Sequence, residues 1–347
     1  NLAAVGDTVL ISPGVWTGVV VIDNKPITIG SFYIINSDTT YIAQTTIDGE
    51  DTRTGIIVKN CSGVSDTLQI IGLTIRNCRS SWYPDTYMYS IGGGIGIGLS
   101  IAKVCNCKIF SNRAYFGGGI GVSRAQVYLF GNEIFANNAI TSGGGLSGLG
   151  YNNLYIYFDA ENKNSIYLNN ASRGCDISYA FNNVPTSIYL NKGTINSLDQ
   201  YFFFLPDQTP LYIDQPMMEQ VNYDLWVSPD GSNANTGFSP QSPLKNISFA
   251  LAKIQPIGNN PLTVHILPGS YSWHQTGEAL PLQPKSYVNL IGSDMENVIL
   301  DAEQYGTFIC GKDAQDYMNI KNMTLINGHS THYYLFYLDD YESGHTD

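Results

Sequence analysis

Short apolar runs, separated by asparagine, glycine or serine, recur along much of the chain. Each run holds three to five residues and is rich in β-branched and aromatic types, as at residues 56–58, 68–71, 127–130 and 155–158. Such runs are too short for helices, and their composition and flanking turn residues are typical of strands. The pattern therefore predicts many short β-strands joined by tight turns.

Two motifs repeat with a nearly constant spacing. Gly-Gly-Gly triplets begin at Gly92, Gly117 and Gly143, which are 25 and 26 residues apart. A second motif, apolar and then asparagine-rich, occurs at residues 107–112, 133–138 and 165–170. A repeat of about 25 residues without a helix indicates a solenoid closed by strands alone. We therefore predict an all-β fold, a right-handed parallel β-helix.

Each repeated residue type has a physical role in such a coil. Glycine suits turns in which a Cβ atom would clash. Asparagine tolerates the left-handed backbone region, and stacked asparagine side chains can hydrogen-bond from one coil to the next. We expect Asn77, Asn112, Asn137 and Asn169 to occupy one such position in successive coils.

These motifs also resemble known families. Most of the chain is similar to the pectin-lyase-like superfamily of right-handed parallel β-helices. The Gly-Gly-x-Ile repeats, with the Phe-x-x-Asn spacing from Phe135 to Asn138, resemble those of bacterial polymorphic outer-membrane proteins over about residues 90–146. The resemblance implies an extracellular or cell-surface location. The superfamily includes lyases, hydrolases, adhesins and phage spikes, so the fold assigns no activity.

A longer internal similarity suggests a tandem duplication. Three pairs of segments align at offsets of 255, 253 and 250: residues 7–16 with 262–271, 46–49 with 299–302, and 72–75 with 322–325. We expect a first β-helix over residues 1–205 without its N-terminal cap, a linker over 206–223, and the start of a second β-helix over 224–347. The second should open with a cap loop and helix and stop after its first coils.

Composition and charge exclude several classes of protein. The chain has 17 basic and 29 acidic residues, a net charge of −12 and a pI near 4.7. A nucleic-acid partner is therefore not expected, because phosphates need a basic face. The sequence shows no transmembrane segment and no signal peptide. No oligomeric state follows from it.

A catalytic set is hard to assemble from these residues. All five histidines lie at or beyond His265, so a His-containing triad in the first β-helix is excluded. The resemblance implies that a lyase would use an arginine base beside carboxylates. If the protein is an enzyme, the residues expected to act are Arg113, Asp85 and Asp176.

Cofactor signals are weak. Asp230 begins an Asp/Asn-rich loop, 230–235, whose oxygens could bind Ca²⁺. Asx turns before a capping helix explain this loop equally well. Cys105 and Cys107 lie at strand spacing and are interpreted as core thiols rather than metal ligands. We therefore assign no cofactor. The alternative is a Ca²⁺ ion bound at Asp230.

An aromatic loop is the strongest candidate for ligand binding. The step from Asn77 to Asn112 is 35 residues, about ten more than one coil, and the excess coincides with an insertion. The aromatic rings of this insertion could stack on sugars, and Tyr115, one coil later, could extend the same surface. The candidate ligand-binding residues are Trp82, Tyr83, Tyr87, Tyr89 and Tyr115. The alternative is that these rings pack back onto the solenoid.

The sequence thus leaves three hypotheses open. The first is a secreted or cell-surface adhesin or carbohydrate-binding structural module with a polysaccharide or glycan partner. The second is a polysaccharide lyase or glycoside hydrolase acting on an extracellular polysaccharide. The third is a structural spacer without a ligand, for which replacing Trp82 and Tyr83 would change no binding.

Overall fold

The computed structural model describes residues 3–62, 67–80, 91–150, 153–179, 187–206, 208–312, 317–329 and 336–339. The chain divides into two compact units, Asn1–Met217 and Met218–Asp347. We refer to them as unit 1 and unit 2 and describe each by itself.

Unit 1 consists of short parallel strands stacked into sheets. The first sheet contains β1 (Thr8–Leu10), β4 (Thr28–Gly30), β7 (Leu68–Ile71), β10 (Ile101–Cys105), β14 (Gln126–Phe130) and β18 (Tyr155–Phe158). The second contains β2 (Gly14–Thr17), β5 (Thr45–Asp48), β8 (Thr74–Arg76), β11 (Lys108–Phe110), β15 (Glu133–Phe135), β19 (Asn164–Tyr167), β22 (Ile188–Gly193) and β24 (Leu211–Pro216).

The remaining strands of unit 1 close each coil. The third sheet contains β3 (Val20–Asp23), β6 (Ile56–Lys59), β9 (Ile95–Gly98), β13 (Ile120–Ser123), β17 (Leu146–Leu149), β21 (Ile177–Tyr179) and β23 (Phe203–Phe204). A smaller sheet contains β12 (Arg113–Phe116), β16 (Asn138–Ser142) and β20 (Asn170–Ala171). Two short helices, α1 (Tyr33–Asn36) and α2 (Thr40–Gln44), lie between β4 and β5.

The core of unit 1 is made of columns of like residues. In the second sheet, register places Ile47, Ile75, Ile109, Ile134 and Ile166 on top of one another. All five are 2 % exposed or less. Branched side chains of one size stacked in this way are removed from water together, and their burial stabilises the stack of coils. The repeat in the sequence therefore becomes a continuous apolar core.

The glycine triplets stack in the same way. An ideal Cβ on Gly119 would lie 2.6 Å from the carbonyl oxygen of Gly145, and one on Gly94 would lie 2.7 Å from that of Gly119. Backbone therefore lies directly against backbone. The first glycine of each triplet is also left-handed, with φ of 72° at Gly92, 67° at Gly117 and 63° at Gly143. Both facts confirm the expected role of these glycines.

Asparagines form the predicted ladder between coils. Nδ2 of Asn112 donates to Oδ1 of Asn137, and Nδ2 of Asn137 donates to Oδ1 of Asn169, each over 3.0 Å. All three side chains are buried. Each amide also donates to a backbone carbonyl of the coil before it. The ladder thus satisfies polar groups that would be costly to bury alone.

The start of this ladder differs from the expectation. The register of β8 and β11 pairs Arg76 with Phe110, so that Asn77 and Ser111 follow at equivalent positions, and Cys78 and Asn112 come next. Cys78 N–H donates to Oδ1 of Asn112 over 2.9 Å, so the ladder ends on a cysteine. The left-handed residues stand one place earlier; they are Asn77, Ser111, Ala136 and Leu168. The expectation that one asparagine serves both roles, beginning at Asn77, is wrong.

A second ladder lies between the first and second sheets. Nδ2 of Asn132 donates to Oδ1 of Asn164 over 2.9 Å, and Cys107 N–H donates to Oδ1 of Asn132 over 3.0 Å. Burial raises the pKa of the Cys78 and Cys107 thiols to about 12. Both cysteines are therefore protonated, small core residues at the ends of the two ladders.

Unit 2 repeats this construction on a smaller scale. One sheet contains β25 (Leu225–Val227), β26 (Leu262–Ile266), β28 (Val288–Gly292) and β31 (Ile320–Lys321), and a second contains β27 (Gly269–Tyr271), β29 (Val298–Asp301) and β32 (Thr324–Ile326). A strand pair contains β30 (Ile309–Lys312) and β33 (Phe336–Asp339). The helices are α3 (Ile247–Lys253) and α4 (Trp273–Thr276).

Helix α3 packs on the core of unit 2 and is capped by a buried carboxylate. Glu278 is 1 % exposed, and its two oxygens accept hydrogen bonds from the N–H groups of Ile247 (2.7 Å) and Ser248 (2.8 Å). Burial raises the pKa of Glu278, against the hydrogen bonds from Ser248 and Ile247 that lower it. The carboxylate thus satisfies N–H groups that the first turn of a helix leaves unpaired.

Candidate functional site

Asp176 is a structural residue of the core. It is fully buried, and its Oδ1 accepts from Nδ2 of Asn169 over 3.1 Å, while its Oδ2 accepts from Thr194 N–H over 3.2 Å. Burial raises the pKa of the Asp176 carboxyl to about 6, against the hydrogen bonds from Thr194 and Asn169 that lower it. Asp176 therefore terminates the asparagine ladder, and both of its carboxyl oxygens accept hydrogen bonds from the surrounding coil.

Arg113 is likewise engaged inside the coil. Its side chain is 3 % exposed, and its Nε donates to Oδ1 of Asp51 over 3.0 Å, while Nη2 donates to Oδ2 of the same carboxylate. Arg79 approaches that carboxylate as well, with Nη1 3.7 Å from Oδ2. A bidentate, buried pair fixes the guanidinium in one geometry. The structure therefore joins Arg113 to Asp51, 62 residues earlier, rather than to Asp176.

The aromatic loop lies outside the described residues. Trp82, Tyr83, Asp85, Tyr87 and Tyr89 all fall within 81–90. The residues on either side of this segment are described, and both adjoin β12: Arg79 bridges to Arg113, and Ile91 bridges to Phe116. Tyr115 lies between these two bridges.

The side chain of Tyr115 is largely removed from water. The residue is 7 % exposed and belongs to β12. It thus lies on the same strand as Arg113 and Phe116, the partners of the Arg79 and Ile91 bridges, with most of its ring packed. The structure brings Arg79 and Ile91 to the strand that carries Arg113 and Tyr115.

The Asp230 loop is organised by its own hydrogen bonds. Oδ1 of Asn233 accepts from the N–H groups of Lys245 (3.0 Å) and Asn246 (3.3 Å), and Asn235 donates to the carbonyl of Pro243 over 2.8 Å. Asp230 itself is exposed. Among the described residues, no group of three or more His, Cys, Asp or Glu side chains is arranged to hold a metal ion.

A group of tyrosines on the outer face of the first sheet was missed by the sequence reasoning. Register pairs Tyr128 with Tyr157 and Gln126 with Tyr155 on neighbouring coils. The rings of Tyr128 and Tyr157 stack with centroids 4.7 Å apart, and those of Tyr155 and Tyr157 lie 6.4 Å apart and within 12° of parallel. Tyr155 is 37 % exposed. We call Tyr128, Tyr155 and Tyr157 the tyrosine patch.

Polar side chains border the tyrosine patch. Lys103 pairs in register with Tyr128 on the preceding coil, and Nε2 of Gln126 donates to the hydroxyl of Tyr128. Burial raises the pKa of Tyr157, and Tyr128 and Tyr155 raise it further, so the phenol is neutral near pH 7. In the sequence, Gln126 and Tyr128 alternate with the apolar Val127, and this alternation could have predicted that both point to the outer face of the strand.

The second sheet carries another set of rings with a different character. The ring of Phe135 stacks between those of Phe110 and Tyr167, with centroid distances of 5.2 and 5.4 Å. We call these three residues the ring column. Glu133 accepts from the hydroxyl of Tyr167 over 2.7 Å and lies 3.7 Å from the ammonium of Lys108, which itself lies over two of the rings. Each ring and charge here already has a partner, so this column is foremost a stabilising feature.

Parallel strands in stacked sheets, with ladders at the turns, define the chain as a parallel β-helix repeat protein. Residues 229–336 are similar to a family described as a protein of unknown function (DUF1565). No curated protein and no solved structure matches the chain. In the part of the chain that the structure describes, no helix is long and apolar enough to cross a membrane.

Proposed function

We propose that the protein is a secreted or cell-surface β-helix repeat protein that acts as an adhesin or carbohydrate-binding structural module. We further propose that it is related to the pectin-lyase-like superfamily and that its glycine repeats share their origin with those of polymorphic outer-membrane proteins. The observation that carries the binding proposal is the tyrosine patch on the outer face of the first sheet.

The chemistry of the tyrosine patch suits a sugar. Aromatic rings offer flat apolar surfaces to the C–H faces of pyranose rings, and phenol hydroxyls can hydrogen-bond to sugar hydroxyls at the same time. Tyr155 and Tyr157 lie two residues apart on one strand, 6.4 Å between centroids, which gives a contact surface longer than one ring. Lys103 and Gln126 add polar groups at its border.

The described geometry favours binding over catalysis. Arg113 and Asp176, the described members of the candidate catalytic set, are buried and hold structural hydrogen bonds. The tyrosine patch, in contrast, lies on an outer face of the coil and includes an exposed ring. The aromatic insertion at residues 81–90 is the proposed second contact with the glycan, on the strength of its sequence.

A glycan-array and polysaccharide screen on the full chain tests this proposal. The variant Tyr155→Ala/Tyr157→Ala should weaken binding by at least about tenfold, since each lost aromatic contact contributes about 1 kcal/mol or more. Trp82→Ala should weaken it as well. Tyr212→Ala is the matched control, because Tyr212 is 53 % exposed and stacks on Tyr189 in the second sheet.

The same samples are followed by ultraviolet absorbance for unsaturated products, with and without Ca²⁺. Binding without turnover, lost only in the patch and loop variants, supports the proposal. Turnover would instead favour a polysaccharide lyase. Equal binding by all variants would overturn the placement of the site, and silence in both assays would favour a spacer.

A further inference from the structure

In unit 2, the sheet formed by β25, β26, β28 and β31 carries an indole ring on its outer face. Leu225 and Val227, on either side of Trp226, are both 0 % exposed, so the alternation along β25 directs Trp226 outward. Register pairs Trp226 with His265 on the next coil. The two rings stack with centroids 4.3 Å apart and planes 19° from parallel. The imidazole therefore supports the indole from the neighbouring strand.

A carboxylate holds this histidine in place. Oδ1 of Asp224 accepts from Thr263 N–H over 2.8 Å, and Oδ2 lies 3.2 Å from Nε2 of His265. The side chain of Asp224 is nevertheless 49 % exposed. Each carboxylate oxygen can accept more than one hydrogen bond. Asp224 is thus a fixed acceptor, open to solvent, beside the stacked rings.

Amide side chains continue this polar column on the following coils. Register places Asn289 beside Thr263. Oδ1 of Asn289 accepts from the N–H group of Asn319 over 3.0 Å and from its Nδ2 over 2.8 Å. Asn289 is partly buried and Asn319 is exposed. Hydrogen-bonding groups therefore run from coil to coil alongside the rings.

Two exposed rings border the indole. Trp226 N–H donates to the carbonyl of Gly237 over 2.8 Å, which brings the next residue, Phe238, close to β25. Phe238 is 50 % exposed and Tyr223 is 65 % exposed, and their rings make an edge contact with centroids 5.6 Å apart. Adjacent exposed rings with a polar border are typical of binding surfaces. We call this surface the tryptophan face; its residues are Tyr223, Asp224, Trp226, Phe238, His265 and Asn289.

The tyrosine patch of unit 1 lies on the equivalent face. The alignment of residues 7–16 with 262–271 makes β26 the counterpart of β1. Strand β1 belongs to the sheet whose outer face carries the tyrosine patch. Outward rings with polar neighbours thus occur on the same face of both units, although different residues supply them. This recurrence is a second observation, independent of the tryptophan face itself, that points to a ligand.

The chemistry of the tryptophan face suits an uncharged sugar chain. Flat rings contact the C–H faces of pyranoses, while carboxylate and amide groups exchange hydrogen bonds with sugar hydroxyls. Charge disfavours uronate or sulfated chains, because Asp224 lies at the surface of the site and the whole chain has a net charge of −12.

We propose that the tryptophan face is a second glycan-binding site, in unit 2, for a neutral hexose chain. The inference rests on the proposed carbohydrate-binding function and adds a ligand class to it. The rings of Tyr223, Trp226 and Phe238 contact the sugar faces. Asp224 accepts hydrogen bonds from sugar hydroxyls, and Asn289 fixes the orientation of the chain on the next coil.

The test measures binding by calorimetry to three neutral hexasaccharides, cellohexaose, maltohexaose and mannohexaose, and to the anionic hexagalacturonate. The parent for these titrations is the full chain carrying Tyr155→Ala/Tyr157→Ala, so that the tyrosine patch does not contribute. We expect this parent to bind at least one neutral probe. Adding Trp226→Ala should weaken that binding by at least about tenfold, because a stacking contact is lost.

Two milder variants keep the test valid if Trp226→Ala loosens β25. Asp224→Asn retains an acceptor for Thr263 N–H but removes the charge, and it should weaken binding by at least about threefold. Phe238→Ala, at an exposed position, should do the same. The matched control is Met295→Ala, because Met295 is an apolar residue 63 % exposed in the turn after β28. It should leave the Kd unchanged.

The outcomes separate this site from the tyrosine patch. Equal binding by the Trp226, Asp224 and Met295 variants would overturn the inference. So would binding of hexagalacturonate alone, or of no neutral probe at concentrations up to about 1 mM. If the unmodified chain then still binds a glycan, the tyrosine patch remains the site. If the unmodified chain and the tyrosine variant bind equally, and Trp226→Ala abolishes binding in both, the tryptophan face is confirmed and the tyrosine patch is not.

Discussion

The amide of Asn169 donates a 3.1 Å hydrogen bond to the carboxyl of Asp176, which puts an ionisable group at the buried end of an amide ladder. The asparagines of this ladder carry no charge at any pH, and the Cys78 thiol at its other end, with a pKa of about 12, is protonated in the same range. Asp176 therefore makes the stability of unit 1 depend on pH, although it belongs to a structural feature.

The raised pKa of Asp176 sets the sign of this dependence. A carboxyl with a pKa of about 6 in the folded chain and 3.8 in its ordinary state holds its proton more tightly when folded. Its contribution is complete below about pH 4 and declines as the pH rises to about 6, a change on the order of 3 kcal/mol. Urea midpoints from pH 4 to 8 should show this fall, and Asp176→Asn should lack it. A pH profile identical in both chains would contradict the assignment.

Replacing one asparagine of the ladder should destabilise unit 1 strongly. Asn137 donates to Asn169 and to the carbonyl of Ile109 and accepts from Asn112. Asn137→Ala leaves buried partners unpaired and should lower the free energy of unfolding by about 3 kcal/mol. The exposed Asn196 provides the control, since Asn196→Ala should change it by less than about 0.5 kcal/mol. Similar losses in both variants would argue against a ladder.

The stacked glycines should not accept a methyl group. In Gly119→Ala the new Cβ would lie 2.6 Å from the carbonyl oxygen of Gly145 and 2.8 Å from Cγ2 of Ile134. Backbone there cannot move without disturbing the neighbouring coils, so we expect a loss of at least about 3 kcal/mol by urea denaturation.

Gly277→Ala separates this effect from backbone strain. Gly277 has φ 73° and nothing within 4 Å of its ideal Cβ, so its substitution should cost only about 1 kcal/mol. A Gly119 variant as mild as the Gly277 variant would mean that the coils can separate at the triplets.

Glu278 should control the stability of helix α3. Glu278→Ala removes the acceptor of the Ile247 and Ser248 N–H groups and should destabilise unit 2 by about 2 kcal/mol. Hydrogen exchange in α3 should accelerate, while exchange in β11 and β15 stays unchanged. Glu296→Ala, at an exposed position, is the control. Unchanged exchange in α3 would show that packing alone holds the helix.

Several features could be predicted because they are periodic. The triplets at Gly92, Gly117 and Gly143 fixed the length of the coil, and the asparagine spacing predicted the ladder. The alignment failed at Asn77 because a left-handed asparagine and a ladder residue look alike in sequence, and only strand register separates them. A cysteine in the ladder position, Cys78, gives no such signal.

The candidate site was harder to predict for a related reason. The aromatic insertion was found by its excess length, but Tyr115 next to it packs away from solvent, whereas Tyr155 and Tyr157 are on an outer face. A strand residue points in or out according to register, and a shift of one residue reverses it. The sequence shows where aromatic residues occur, but not whether a given ring points into the core or towards solvent.

The sequence by itself determined the coil, the all-β class, the acidic character of the chain and the absence of histidine from its first unit, because each depends on a local period or a count. Only the tertiary structure decided which distant residues meet. Arg113 pairs with Asp51 across 62 residues, and Asp176 closes the ladder rather than facing a substrate. Stacking coils brings together residues separated by insertions of different length, so these contacts depend on register and burial rather than on any spacing that can be read along the chain.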